Sequence, residues 1–422
     1  MSEFKDIELG IHLKLISGFP FSSSLFSNEG FPLIRIRDIL TSRTETCFRG
    51  AYPPGYVVKK GDILVGMDGD FHVVKWRGND ALLNQRVLKV DVQNESVITL
   101  DYLFHWLGPF IKKINEVTAA TTVKHLSIKD LTKAKAKFPE VGVQKKIAAI
   151  FTAFDTAIEN TEALIAKYQQ IKAGLMNDLF TRGVLPNGQL RPPRSVAPEL
   201  YQETAIGWFP REWKVNKLGA MAKIVSGVTL GSKESPTDTI EVPYLRVANV
   251  QDGYLNLTEI KKVCVSRKTL EYLRLLPGDV LMNEGGDFDK LGRGAVWAGE
   301  VEDCIHQNHV FRVRTDWAVL RPNYLAYFSE SSFGKKYFLL SSKQSTNLAS
   351  INSTQLNLYP IALPPCAEQD KVILRISASN SRIDALKAEV EKLSNQKRGL
   401  MQDLLTGKVA VQVDELDTEV TA

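Results

Sequence analysis

A few residues in this 422-residue chain have types and spacings suited to recognition chemistry. Gln85-Arg86 and Asn308-His309 each stand just ahead of an apolar run, in NQRVLKV and QNHVFRV. Asn and Gln offer a donor beside an acceptor, which fits the adenine edge in the major groove. Arg offers a fork that fits guanine or a phosphate. Asp68, His72, Lys75 and Arg77 follow the run DILVG, and Glu284, Lys290 and Arg293 follow DVLMN. Arg35 and Arg37 in LIRIRDI match Arg246 in YLRVANV, where Asn249 lies close by. Ser17-Gly18 near Lys14 matches Ser226-Gly227 near Lys223, a pattern that suits phosphate. Lys124, His125, Lys343, Gln344 and Asn347 are weaker candidates of the same kind. Each has a local alternative. The arginines could brace Asp38, and the Gly-Asp-Phe loops could be turns with Phe71 and Phe288 as core anchors. For Asp70/Asp287 and Phe71/Phe288 the structural role is the better reading.

Chemistry of the bond-making kind is not written in these residues. There is no GxxxxGK[S/T] phosphate loop. The proline pairs in YPPG, RPPRS and LPPCAE do not form the Asn/Asp-Pro-Pro-aromatic motif of an adenine methyltransferase. Glu259-Ile260-Lys261 has nuclease-like spacing without a preceding acidic partner. His306-x-x-His309 has the spacing of two metal ligands but lacks further ones. Cys47, Cys264, Cys304 and Cys366 are scattered and form no CxxC. That pattern points away from zinc and disulfides and suits a reducing cytoplasm. The expectation is therefore a chain with no metal and no cofactor of its own.

The bulk properties set the frame. An apolar fraction of 44% and a charged fraction of 24% are those of a folded globular chain. No apolar run reaches the ~18 residues of a membrane span, and MSEFKDIELG has no signal-peptide core, so a cytoplasmic location with no membrane partner is expected. The net charge of +5 permits nucleic acid without demanding it. Residues 1–143 carry 19 Lys/Arg against 16 Asp/Glu, and residues 205–368 carry 19 against 17, so neither block is strongly basic.

A repeat in the chain shows the framework that holds these residues. GLMNDLFTRGV at 174–184 returns as GLMQDLLTGKV at 399–409. Extended backwards, 144–184 aligns with 369–409 without a gap and with 14 identities. A 4-3 spacing falls on Ile147, Phe151, Phe154, Ile158, Thr161, Ile165, Tyr168, Lys172, Leu175 and Leu179. In the second copy it falls on Val372, Ile376, Ser379, Ile383, Leu386, Val390, Leu393, Lys397, Leu400 and Leu404. Eight of the ten positions are apolar or aromatic in each copy, a heptad seam on a long helix. Pro139 and Pro364/Pro365 precede the helices, and Gly183 and Gly407 stand near their ends. Two separate amphipathic helices would meet the pattern. The matched register favours packing on each other as an antiparallel coiled coil. Lys172 and Lys397 interrupt the seam at equivalent places, either fixing register or snorkelling to solvent.

The repeat extends upstream. PLIRIRDI pairs with PYLRVANV, GDILVGMDGDF with GDVLMNEGGDF, and TTVKHLSIKDL loosely with TNLASINSTQL. Each half reads as one α/β module followed by one long helix. LIRIR, DILVG and RVLKV read as strands, while LDYLFHWLGPFIKKI and PNYLAYFSESSFGKKYFLL read as helical. The expected boundaries are a first module at 1–143, a helix at 144–184 and a Pro-rich connector at 185–204. A second module follows at 205–368, then a helix at 369–409 and an acidic tail at 410–422 that frays. The first module lacks a counterpart to IGWFPREWKVNKLG, so the C-terminal tail is expected to pack there.

Two divergent modules, each followed by one of two similar helices, with GWFPREW, YLRVANV and GLMQDLLTGKV in this order, resemble the specificity subunits of type I restriction–modification systems. The resemblance covers nearly the whole chain. It implies an α+β fold: two target-recognition modules of mixed sheet plus helices, joined by long helices in an antiparallel coiled coil with pseudo-twofold symmetry. It implies a non-catalytic subunit that reads a bipartite double-stranded DNA target, one module per half-site. It implies helices that set the spacing and dock two modification subunits, which use S-adenosylmethionine to methylate adenine. Two restriction subunits using ATP and Mg could join them. From the residues alone, a two-headed coiled-coil scaffold without DNA readout stays open.

Overall fold

The computed structural model describes residues 4–118, 124–229, 231, 238–286, 291–292, 294–344 and 349–412. The chain divides into two units, residues 1–162 with 388–422, and residues 163–387. The division therefore runs through the interior of both long helices.

In the first unit the strands of three or more residues are β1 (Lys5–Glu8), β2 (Leu13–Ser17), β3 (Phe31–Ile34), β4 (Ile63–Gly66), β5 (Val73–Lys75), β6 (Ala81–Leu83), β7 (Val87–Val92) and β8 (Lys135–Phe138). An antiparallel sheet runs in the order β2-β7-β4-β5, and β3 lies parallel to β6. Ile63, Leu64 and Val65 are all fully buried, so β4 is covered on both faces. This is why Ile63–Gly66 is an unbroken apolar run rather than an alternating one. Gly61 (φ +98°) and, in the second unit, Gly278 (φ +93°) make the left-handed turn that starts this strand.

The second unit repeats the arrangement with β9 (Lys214–Lys217), β10 (Ala222–Ser226), β11 (Thr239–Leu245), β12 (Val280–Asn283), β13 (Gly294–Val296), β14 (Ile305–His306), β15 (Val310–Thr315) and β16 (Pro360–Leu363). Its main sheet runs β10-β15-β12-β13, and β11 lies parallel to β14. The module helix differs. The first unit has one helix, Leu100–Val117, while the second has Pro322–Glu330 and Ser332–Ser341 broken at Ser331. Ser329 and Ser331 donate their hydroxyls back to the carbonyls of Leu325 and Phe328. That local bonding competes with a continuous helix.

The long helices are Val141–Arg182 and Cys366–Leu404, each starting three residues before the expected first residue. All twenty seam positions are buried or half-buried. Gly183 (φ +67°) and Gly407 (φ +73°) follow the last turns in the left-handed conformation of a C-terminal cap. In the second unit, Leu179 and Phe180 share a core with Val372 and Ile376, while the Arg382 guanidinium sits 5.8 Å from the Tyr168 ring centre. In the first unit, Ile147 and Phe151 share a core with Leu404 and Leu405, while Lys397 meets Asp155 at 2.5 Å. Within each unit the two helix segments are therefore antiparallel neighbours. The seam lysines do not snorkel. Lys397 pairs with Asp155, and Lys172 pairs with Glu330 at 2.7 Å.

One fastening occurs twice. Gln144 is fully buried; it accepts a hydrogen bond from the Thr99 amide (2.9 Å) and donates to the carbonyls of Val97 (2.8 Å) and Pro139 (2.9 Å). Gln369 is equally buried, accepts from the Arg321 amide (2.8 Å), and donates to Val319 (2.8 Å) and Pro364 (2.9 Å). Each glutamine thus ties the start of a long helix to the loop that leads into the module helix.

Two expectations about the joints change. The 185–204 stretch is not a plain connector. Tyr201–Thr204 pairs with Gly207–Pro210, and Arg191 is buried against Glu368 (2.5 Å) and Glu212 (2.8 Å). A buried cation needs such partners, and they anchor this stretch to the second unit. The first module is completed by its own N-terminal strand, because β1 pairs with β8 as β9 pairs with β16. Of the tail, Val411 packs on the first unit's core. Residues 413–422, including the acidic run, lie outside the described residues.

Candidate nucleic-acid interface

In both units three loops meet beyond the central strand, and the same backbone hydrogen bonds hold them. In the first unit the Met67 amide donates to the Arg86 carbonyl (2.9 Å), and the Leu126 amide donates to the Met67 carbonyl (2.7 Å). In the second unit the Glu284 amide donates to His309 (3.0 Å), and Ile351 donates to Glu284 (2.8 Å). The first loop follows β4 or β12, the second is the turn into β7 or β15, and the third precedes a short helix, Ile128–Thr132 or Ser353–Asn357.

Charged side chains gather at this junction. Asp68 accepts from Arg86 Nη1 at 2.9 Å and lies 2.6 Å from His125 Nδ1. Arg86 has a left-handed backbone (φ +74°) and a side chain 57% exposed, while Asp68 is 23% exposed. In the second unit His309 Nδ1 lies 2.6 Å from Glu284 Oε2, and His309 is 57% exposed. The loop behind Asp68 is braced: Lys124 donates to the Asn115 carbonyl, and Asn115 donates to the Gly69 carbonyl. A half-buried carboxylate thus orients an exposed donor at each junction.

The other candidates fall into separate groups. Gln85 is exposed beside Arg86. Asn308 is half-buried, and its carbonyl accepts the Ser226 hydroxyl at 2.9 Å. A Cβ on Gly18 would stand 1.9 Å from the Asn84 carbonyl oxygen, and one on Gly227 would stand 2.0 Å from that of His306. Both glycines are thus set by close backbone approach, and Ser17 and Ser226 flank that crossing. Lys14 and Lys223 are exposed on the edge strands β2 and β10. His72 is exposed just before β5. Lys75 and Arg77 turn towards helices instead, to Asp101 at 2.5 Å and to Glu159.

Arg35 and Arg246 are not strand residues, as their apolar neighbours suggested. Each caps a short 3-10 turn that follows β3 or β11. Arg37, 66% exposed, lies 3.7 Å from Asp38, and Arg246 pairs with Glu259 at 3.3 Å. Asn249 is buried, with its carbonyl oxygen on the Arg246 amide and its NH2 on the carbonyls of Asn256 and Glu259. Its polar atoms are spent inside the module, so Asn249 does not face a base as its sequence position suggests. Lys343 is exposed, and Gln344 is described only as strand backbone. Lys290, Arg293 and Asn347, with Asp287 and Phe288, lie outside the described residues.

His306 is fully buried, with Nδ1 2.6 Å from the Val310 carbonyl, and burial pushes its pKa down to about 4. His309 faces Glu284 instead. No group of three or more His, Cys, Asp or Glu side chains suited to a metal occurs among the described residues. Burial, with Glu300 adding to it, pushes the Cys304 thiol up to about 12, an inert group.

Comparison with known proteins decides the family. Residues 1–170 and 210–393 match the type I restriction modification DNA specificity domain. The chain belongs to this family. It is 27% identical over 400 residues to the type I restriction enzyme EcoBI specificity subunit of Escherichia coli, covering 93% of this chain and 82% of that one. It is 26% identical over 365 residues to the MjaVIII specificity subunit of Methanocaldococcus jannaschii, covering 84% and 81%. Among solved structures it matches the S subunit of a type I restriction–modification system from M. genitalium (TM-score 0.56, 14% identity, 95% and 96% covered). It also matches a chain from a study of complex assembly and conformational transition of the type I system (TM-score 0.51, 15% identity, 96% and 97% covered). At these identities the structural likeness is one of fold. The chain is a type I specificity subunit, a class that works in complexes with other subunits. No described helix is long and apolar enough to cross a membrane.

Proposed function

We propose that this chain is the non-catalytic reader of its restriction–modification complex and recognises a bipartite double-stranded DNA site, one half-site per module. One observation carries the reading: two modules share a backbone framework down to the same loop hydrogen bonds, yet carry different charged side chains at the junction. A common scaffold with different contact residues is what two different half-sites require, since base edges are told apart by donor and acceptor pattern. The paired helices act as the spacer. A 42-residue helix is about 63 Å long at 1.5 Å per residue, which corresponds to roughly 18 base pairs. The helix repeat offers one surface twice, suited to docking two modification subunits. Those subunits would bring S-adenosylmethionine and methylate adenine, and restriction subunits using ATP and Mg could join the assembly.

The test is co-expression of the chain with its modification subunit, followed by mapping of methylated adenines in the host DNA. A two-part motif that vanishes without this chain is expected. Absence of chain-dependent methylation from an intact complex would favour a two-headed scaffold without DNA readout.

A further inference from the structure

We infer that Arg86 is a base-reading residue that selects a G·C pair in one half-site, and that Asp68 positions it. This rests on the proposed DNA-reading function. Arg86 occupies a backbone position matched by His309, each accepting at its carbonyl from the residue that follows the central strand. The frame is therefore constant and the side chain is the variable. Arg86 is held in a left-handed conformation at the tip of its turn, its side chain largely in solvent. Only Nη1 is engaged among the described residues, with Asp68 Oδ1 at 3.2 Å and Oδ2 at 2.9 Å. Nε and Nη2 are left to donate outwards, and two parallel donors match O6 and N7 of guanine. Asp68 is fixed in turn, because His125 holds Oδ1 at 2.6 Å and the next residue's amide, Gly69, donates to Lys124 at 3.0 Å. An oriented guanidinium loses less rotamer freedom on binding than a free one. Among the described residues the second junction has no arginine. Glu284 and His309 there offer a different pattern, so its half-site need not contain the same pair.

The experiment is the methylation map of the co-expressed complex, repeated with variants. Arg86→Gln should convert one G·C position to A·T, since Gln matches adenine, and should leave the other half-site unchanged. A well-made bidentate contact discriminates by about 1–3 kcal/mol, or roughly 5- to 150-fold, so the change should be plain. Asp68→Asn should keep G·C at that position but relax its strictness, because the reader stays while its support is neutralised. His309→Gln should alter only the half-site that Arg86→Gln leaves alone. The intact half-site reports in each case that the variant folds and assembles. If Arg86→Gln gives no methylation, Arg86→Lys carries the test: it keeps the charge, loses the fork, and must weaken that one position. An unchanged motif with either variant overturns the inference. So does a uniform loss of affinity with a shallower salt dependence, which would make Arg86 a phosphate contact. If the unaltered chain directs no two-part motif, the DNA-reading function fails instead, which is a separate outcome.

Discussion

Replacing Gln144 by leucine should cost about 3–5 kcal/mol. The side chain is fully buried and makes four hydrogen bonds, two accepted from the Thr99 amide and, at 3.5 Å, the Thr99 hydroxyl, and two donated to the carbonyls of Val97 and Pro139. Leucine is similar in volume, so no cavity opens. What changes is that the Thr99 amide and hydroxyl and the Pro139 carbonyl lose their partner where they are buried, and the Val97 carbonyl loses its partner where it is partly buried. Each unsatisfied buried group costs about 1–3 kcal/mol, and some relaxation of the loop lowers the sum. Urea denaturation of the purified chain measures the loss. Gln144→Glu separates hydrogen bonding from shape. One carboxylate oxygen can still accept from Thr99, but the other faces two carbonyl oxygens and needs a proton. Its folded pKa must therefore rise above the usual ~4.3. A raised carboxyl pKa gives stability that is fully present below the unfolded value and is lost as pH climbs through the folded one. The glutamate variant should thus be weakest at neutral pH and recover in acid. Gln369→Leu should behave like Gln144→Leu, since its bonding repeats the pattern. A loss below about 1 kcal/mol for both leucine variants would refute the view that these glutamines fasten the helices.

Other perturbations test other parts. Burial and the Lys397 charge hold His105 down at about 4, with Asp155 opposing, so Lys397→Met should move the His105 titration upwards by NMR and destabilise by about 1–2 kcal/mol; an unmoved titration would contradict the pairing. His105 and His306 both sit near 4 when folded against an ordinary 6.5. The folded state binds fewer protons there, so stability is present above 6.5 and should fall as pH drops from 6.5 to 4, with a pH-resolved melting series as the check. Inserting one heptad between Ile158 and Ile165, matched by one in the partner helix, should lengthen the preferred spacer and leave both half-sites unchanged. A changed half-site with an unchanged spacer would end the spacer reading.

The parts legible in the sequence were those with a local period. The twenty seam positions, the helix-stopping Gly183 and Gly407, and the buried strands at 63–66 and 87–92 follow from spacing and turn chemistry within a dozen residues. The parts that were not legible depend on distant partners. Gln144 and Gln369 stood out only as aligned identities, since their bonds reach 45 and 48 residues back. Asp68 and His125 are 57 residues apart, and nothing in either segment announces the other. Arg35 and Arg246 looked like strand residues because their apolar neighbours alternate, yet Asp38 and Asn249 accept their amides and turn the chain three residues early. Lys75 and Arg77 were grouped with Asp68 by proximity along the chain, while the structure turns them towards helices.

The split of the chain through both long helices has a consequence for how it is made. The unit at 163–387 is one continuous segment and can close as soon as it has left the ribosome. The other unit cannot. Its core needs Leu404 and Leu405 beside Ile147 and Phe151, and translation supplies them about 250 residues later, roughly 12–50 s at ordinary elongation rates. For that interval the earlier-made half holds an uncovered apolar face, whereas the later-made half has all its parts as soon as residue 387 is added. The order of maturation is thus the reverse of the order of synthesis, and it makes the nascent first module the stage at which a chaperone has most to protect.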